Sequence, residues 1–417
     1  SSYGLKSRVR TDRPSIGMES VEPATKRTRL EPTSGRKVRL AAVGCGVIWK
    51  HHLEAVAACE LRRLAYTAVI EPDEGRRTAA VTAVETKLGE KPRAFATLSE
   101  ALASDPAGEL FEAVDIMVPN LELLHEEVAL EAQRAGRHVL LEKPISVSVA
   151  SGERILAAGR MHSPGTVLMV AENSQYWREV VLAQRLVAEG AIGEILTARA
   201  KYWESGHPVL NEWAADGSYD PGSFISEGAE GFVFDGGLHW LRPLRMLLGK
   251  AAHVTATAGK TVPHMRGPGM MQALITFESG VTAVFEAVLA PGAISEQPFF
   301  VVQGTKGEIV LDGFEGGGRL HTVTSDGLLT RDINQGFKGQ VGWDTGYVGE
   351  IQDFAAAVLD GQVPAAGAQE AVEDLRLMMA LNKAAKTRRW ESLADLEPDL
   401  EMATLGLKLK LLSGQNL

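Results

Sequence analysis

"AAVGCGVIWKHHLEAV", Ala41 to Val56, passes from an apolar, strand-like run through Gly44-Cys45-Gly46 into a helical pattern. A dinucleotide-binding turn begins in this way. In its G-x-G-x-x-G form the first glycine permits a tight strand-to-helix reversal. The second lets backbone N–H groups approach a pyrophosphate, and the third lets the helix pack closely on the strand. Gly44 and Gly46 fill the first two places, and Trp49 stands in the third. The change falls on the packing role, so Gly44, Cys45, Gly46, Val47 and Ile48 are the expected cofactor loop. The alternative is an ordinary βαβ unit that holds no nucleotide. An acid after the second strand favours the nucleotide: Glu71 follows "LAYTAVI" (64–70). A carboxylate there accepts hydrogen bonds from ribose hydroxyls and repels a 2′-phosphate, which favours NAD over NADP. Arg76 and Arg77 lie just beyond and can offset that preference.

Outward from this turn, strand and helix alternate. Strands are expected at 38–43, 64–70, 113–118, 138–142 and 166–173, with helices at 48–58, 73–88, 123–135 and 147–160. Near-continuous apolar strands in βα units imply a parallel sheet covered on both faces. The second half reads as strands at 194–203, 253–259, 271–277, 281–289, 299–304 and 307–313. Short turns such as Glu278-Ser279-Gly280 make hairpins of several. A helix near 237–248 interrupts them, and helices near 347–360 and 369–388 follow. The fold class is α/β: a Rossmann, doubly wound parallel sheet, plus an α+β part with an open, mostly antiparallel sheet. Expected boundaries are a disordered basic tail over 1–36, a dinucleotide-binding domain over 37–165, a substrate-binding and oligomerisation domain over 166–390, and an extension over 391–417. The terminal helices are expected to pack back on the first domain.

The net charge of −10 is uneven, because residues 1–36 carry eight Lys/Arg against four Asp/Glu. The acidic body argues against nucleic acid as the main partner. The cluster within "PATKRTRLEP" (23–32), basic at 26–29, reads either as a solvated tail or as a nuclear-import signal. No apolar run reaches membrane-span length. Cys45 and Cys59, the two cysteines, form no disulfide framework or zinc spacing, which suits the cytoplasm. No metal is expected: His125-Glu126-Glu127 lacks the second histidine of H-E-x-x-H. "LGLKLKLL" (405–412) alternates like an edge strand or a subunit contact.

Two further constellations carry chemistry. Lys143, in "VLLEKPIS" (139–146), lies just past a parallel strand, where doubly wound sheets place ligands. "FDGGLHWLRPLRMLLG" (234–249) puts Asp235 and His239 four apart, on one helical face if the helix starts at the aspartate. The alternative is that Asp235 caps the helix and His239 is a core residue.

G-x-G with His52 after it, Pro119-Asn120 with His125, Glu142-Lys143-Pro144 and Asp235-Gly236-Gly237-Leu238-His239 occur in that order. The order resembles the Gfo/Idh/MocA family of NAD(P)-dependent oxidoreductases over residues 37–390. "VLMVAENSQYW" (167–177), "GTKGEIVLDG" (304–313) and "YVGEIQDFAAAVLDG" (347–361) are similar to its segments too. The resemblance implies a catalytic trio of Lys143, Asp235 and His239. It also implies cofactor contacts from Pro119, Asn120, His125 and Glu142, and a homo-oligomer, dimer or tetramer, built on the open sheet. Trp49, the two extra residues between Asn120 and His125, and Arg242 depart from the family pattern.

The implied chemistry is reversible hydride transfer between a secondary alcohol of a sugar, polyol or cyclitol and the nicotinamide. His239 takes the hydroxyl proton, Lys143 holds the oxygen, and Asp235 orients His239 or binds a neighbouring hydroxyl. Asn173, Tyr176 and Trp177, with Tyr202, Trp203, Trp213 and Trp240, are the expected pocket, and Arg178 and Arg242 are polar candidates. Core packing is the plainer reading of the aromatics. The competing functions are an NADPH-dependent carbonyl reductase and a non-catalytic NAD(P)-binding regulator.

Overall fold

The computed structural model describes residues 35–396 except 60–62, 121–122, 163, 206–230, 262–266, 291, 294–298 and 313–315. The tail with its basic cluster, Trp213 and the 405–412 stretch lie outside the described residues.

The βα alternation folds into a six-stranded sheet of parallel strands. They are β1 (Val38–Val43), β2 (Leu64–Ile70), β3 (Arg93–Phe95), β4 (Ala113–Ile116), β5 (His138–Glu142) and β6 (Leu168–Ala171), in the spatial order β3-β2-β1-β4-β5-β6. Helices α1 (Trp49–Ala58), α2 (Glu74–Leu88), α3 (Leu98–Ser104), α4 (Leu124–Arg134) and α5 (Val149–His162) alternate with the strands. The strand order reverses between β1 and β4, and crevices at such reversals take ligands. Gly44 sits in this crevice with φ +87°. A Cβ there would lie 3.0 Å from the backbone of Met117 and Val118 beyond β4. Leu168–Ala171 pairs with β5, so the strand that the sequence reading put after a 165/166 boundary belongs to the first sheet.

After α6 (Arg178–Ala188) comes a nine-stranded sheet. Its strands are β7 (Ile195–Glu204), β8 (Ala251–Gly259), β9 (Met270–Phe277), β10 (Thr282–Leu289), β11 (Phe300–Gly304), β12 (Gly307–Leu311), β13 (Gly318–Thr324), β14 (Gly327–Asp332) and β15 (Glu391–Ser392). The order is β14-β13-β12-β11-β7-β10-β9-β8-β15, antiparallel except where β7 meets β10. Burial alternates along β9, because one face packs and the other does not. α7 (Leu238–Leu248) and α9 (Ala368–Thr387) share the packed core with Phe277, Phe285 and Phe300.

Between them in sequence lies α8 (Trp343–Asp360), which crosses back to the first sheet. Its Tyr347, Ile351 and Phe354 share a core with Leu40 of β1 and Trp49 and Leu53 of α1. Trp49, first residue of α1, is 4% exposed and meets the Tyr66 ring edge-on, centroids 4.9 Å apart. The indole occupies the space that a third glycine would have closed. Among the described residues no helix is long and apolar enough to cross a membrane.

Restoring the ordinary motif is therefore harmful. Trp49→Gly is expected to lower unfolding free energy by about 3–5 kcal/mol, read from urea titration, as for other large aromatics removed from cores. A loss under about 1 kcal/mol would show that the indole packs nothing of consequence.

Candidate functional site

Polar residues that begin the connections after the parallel strands build the site, because there the side chain leaves the apolar sheet while its backbone stays anchored to it. After β1, Gly46 is exposed and a Cβ on it would meet nothing within 4 Å. Among the described residues no contact requires glycine there, and the open space leaves room for close approach of a ligand. Ile48 caps α1 without a side-chain hydrogen bond, and the first turn of α1 carries no acid. Its N–H groups and positive dipole end suit an anion. Beyond β4, Pro119 is exposed and Asn120 is buried with an amide nitrogen that has no partner. Open glycine, uncapped helix and orphaned amide together fit a dinucleotide.

Glu71, after β2, is buried. Its carboxylate accepts N–H bonds from Cys45 (2.8 Å) and Asp73 (3.0 Å) and from the Arg76 guanidinium (3.0 and 3.2 Å). Arg77 donates to the Glu71 and Pro72 carbonyls. Acid and arginine are thus already paired at the place expected for the adenosine ribose. Burial, with Glu71 and Asp115 nearby, pushes the Cys45 thiol up to about 12, so this cysteine is a small apolar filler and no redox sensor.

Lys143 follows β5 directly. Its ammonium donates to Asp235 Oδ1 (3.0 Å) and to the Asp235 carbonyl (3.1 Å). Burial works against the charge, but Asp235, Glu142 and Glu172 outweigh it and hold the lysine above its usual range. Asp235 lies in a π turn, Val233–Gly237, that leads into α7. The turn can sit this deep because Gly236 has no side chain: a Cβ would stand 2.5 Å from the Tyr202 ring.

His239 lies in the first turn of α7, with Nδ1 2.7 Å from Glu172 Oε1. Glu172 comes directly after β6 and was missed in the sequence, although an acid just past a parallel strand is the same signal as Glu71. Burial raises its carboxyl, but His239 and the Ser174 N–H bring it down to about 2. The orienting role expected of Asp235 therefore falls to Glu172, while Asp235 holds the lysine. Trp343 meets the His239 ring edge-on at 5.0 Å, a second neighbour that sequence reasoning did not find.

Other expected residues are spent elsewhere. His125 lies between the Val118 carbonyl (2.9 Å) and the Pro144 carbonyl (3.0 Å), tying two turns together rather than facing a cofactor. Glu142 uses Oε1 on His52 and Oε2 on the Lys143 N–H. Tyr176 donates its hydroxyl to Asp353 (2.8 Å). Trp177 is core, packed against Trp240 and Trp343, and Tyr202 stacks on Trp240 at 3.8 Å. Trp203 lies against Lys201. Arg178 lies over Phe337 and bonds Asn334. Arg242 bonds Gln175 and Glu370, so its departure from the family pattern is an ionic tie to α9. Of the pocket candidates, Asn173 keeps both amide atoms buried without a partner.

Residues 38–171 match a family model described as an oxidoreductase family with an NAD-binding Rossmann fold, and residues 180–310 match the GFO/IDH/MocA C-terminal domain. Levoglucosan dehydrogenase of Pseudarthrobacter phenanthrenivorans is 28% identical over 48% of this chain and 55% of its own length, so the chain spans about half of that relative. D-apiose dehydrogenase of Paraburkholderia graminis is 24% identical over 92% of this chain and 97% of its own. The solved structure of levoglucosan dehydrogenase with NADH and levoglucosan superposes with TM-score 0.71 at 21% identity, covering 86% of this chain and 100% of that one.

The Glu172 carboxyl, held far below its ordinary value of 4.5, contributes stability that is present above pH 4.5 and lost as pH falls toward 2. In urea unfolding, the stability gap between wild type and Glu172→Gln is expected to narrow from pH 5 to pH 3. A gap that widens over that range would show that Glu172 gains nothing from His239.

Proposed function

This chain belongs to the Gfo/Idh/MocA family of oxidoreductases, and on that footing we propose that it transfers hydride between a secondary alcohol of a sugar, polyol or cyclitol and a nicotinamide cofactor. One observation carries the reading: the Lys143–Asp235 and His239–Glu172 pairs converge beyond β5 and β6, with Glu172 close enough to act on the lysine charge. The sugar-dehydrogenase names of the relatives support the substrate class.

When bound, the nicotinamide supplies the hydride acceptor, or the donor in the reverse direction. The Gly44–Ile48 loop and the start of α1 would hold its pyrophosphate, Glu71 its ribose and Asn120 a polar edge. A carboxylate at Nδ1 favours the tautomer with hydrogen there, so His239 presents the Nε2 lone pair as base for the substrate hydroxyl. Lys143 gives two of its three donors to Asp235 and keeps one for the same oxygen, stabilising negative charge as the proton leaves. Asn173 is placed to bond a neighbouring hydroxyl.

A second reading, an NADPH-dependent carbonyl reductase, draws on Arg76, whose side chain is 60% exposed while bonded to Glu71. Two of the three features that favoured a non-catalytic regulator, Trp49 and Arg242, have packing or ionic reasons to be present, and the third, the basic tail, lies outside the described residues. The two buried free thiols suit a cytoplasmic enzyme. Exposed Leu274, Val323 and Leu328 on the second sheet suit assembly through it. Light scattering is then expected to give a multiple of 44.8 kDa, and a monomer would reject the assembly.

Lys143→Ala and His239→Ala should each lower kcat on an oxidised sugar or polyol by about 10²–10⁴-fold, the usual worth of a positioned acid–base group. Wild-type turnover in both variants would reject the mechanism. Calorimetry is expected to show NAD and NADH bound in preference to NADP and NADPH, with Glu71→Ala eroding that preference about tenfold or more. Preference for the phosphorylated pair in the wild type would favour the reductase.

A further inference from the structure

A second set of buried charges lies behind the lysine, and the chemistry above does not use it. His52, in the first turn of α1, is completely buried. Its Nδ1 is 3.1 and 3.0 Å from the two carboxylate oxygens of Asp115 in β4, and its Nε2 is 3.0 Å from Glu142 Oε1 at the end of β5. Neutral imidazole has one N–H and one lone pair, so one nitrogen would aim a lone pair at a carboxylate. Only the imidazolium donates on both sides. Each carboxylate is itself anchored: Asp115 Oδ2 accepts the Tyr66 hydroxyl at 2.6 Å, and Glu142 Oε2 accepts the Lys143 N–H at 2.9 Å.

We infer that His52 is a positioning residue for hydride transfer: its imidazolium, clamped between Asp115 and Glu142, holds the Glu142 carboxyl in place and so fixes the main chain at Lys143. The inference rests on the dehydrogenase reading. It also joins the two halves of the nucleotide site, because His52 lies three residues past Trp49 on the helix that opens at the glycine turn.

The surroundings leave few other cations for this task. Glu142 faces His52 on α1, His125 on α4, Lys143 in its own turn, and Tyr347 and Glu350 on α8, while Asp115 on β4 and Glu172 after β6 act on the same neighbours. Burial works against charge on the His125 imidazole, and its two nitrogens are taken by the Val118 and Pro144 carbonyls rather than by Glu142. Glu350 lies 3.9 Å from His52 Nε2, and neither of its oxygens has a hydrogen-bond partner. Burial and the neighbouring carboxylates push it well up, so it is a neutral acid. Burial also acts against charge on His52, but Asp115 and Glu142 overcome it. Without the imidazolium, Glu142 loses the donor on Oε1 and keeps the Lys143 N–H on Oε2, so its carboxyl is held from one side alone.

The test compares His52→Gln, Glu142→Gln and the double variant at pH 7, with melting temperatures to confirm folding. His52→Gln should lose at least tenfold in kcat at pH 7, with cofactor KM within about threefold. Glu142→Gln should show a comparable loss, and the double variant should match Glu142→Gln, because His52 acts through Glu142. A further loss in the double variant beyond that of Glu142→Gln, or no loss in His52→Gln beside an active wild type, overturns this inference and leaves the dehydrogenase reading intact. A readout free of turnover is the ¹⁵N imidazole spectrum of wild type, with the His52 signal identified by its shift in Glu142→Gln. Both ring nitrogens should be protonated at pH 7, and one bare ring nitrogen at that pH overturns the inference whatever the kinetics.

Discussion

The hydrogen bond between Lys143 and Asp235 spans 92 residues of sequence and 3.0 Å of space. It joins the turn after β5 of the parallel sheet to the π turn that leads into α7. Both groups are mostly buried, and removing one partner of such a pair strands a charge at a cost of about 3–5 kcal/mol. The candidate site therefore exists only while the two sheets hold their relative position. Much of the remaining architecture serves that condition. Arg242 and Arg245, three apart on α7, reach Glu370 and Asp374, four apart on α9. Glu172 ties β6 to α7 through His239. Each tie crosses between segments that no local propensity would bring together.

Titratable groups near the carboxyl ends of the first sheet come in pairs: Glu71 with Arg76, Lys143 with Asp235, His239 with Glu172, and His52 with Asp115 and Glu142. Apolar strands deliver these residues to a largely buried edge, where a polar group needs a partner. The pairs supply those partners and hold each hydrogen-bonding group in a fixed direction, which proton and hydride chemistry needs. Glu350, 3.9 Å from His52 and without a hydrogen bond, is pushed well up by burial.

What was legible in the sequence follows the range of the interactions. Apolar runs and helical periods announced most strands and helices, because those signals are local. The three-residue β3 and the fully exposed β14 carried too little apolar pattern to be read. Gly44, Lys143, Asp235 and His239 were found by order and spacing. Trp49 looked like a defect because its justification, the Tyr66 ring, lies on another strand. Trp177 and Tyr202 were candidates for a sugar-stacking wall, since an aromatic side chain reads the same in sequence whether it faces a pocket or a core. Glu172 stood in plain view after an apolar strand, but its partner was 67 residues away. His52 was noticed as part of a pattern, and nothing local could reveal that it lies between two carboxylates.

The crossing of α8 back to the first sheet has a consequence for how the molecule is made. The core of β1 and α1 includes Ile351 and Phe354, more than 290 residues downstream of α1. A chain leaving the ribosome has its N-terminal sheet translated long before the helix that completes the core. Until α8 emerges, the surface of Leu40, Trp49 and Leu53 that it will cover stays open to water. The amino-terminal half thus carries an uncovered apolar surface through most of translation, and the candidate cofactor cradle gains its full core last, although it is encoded first.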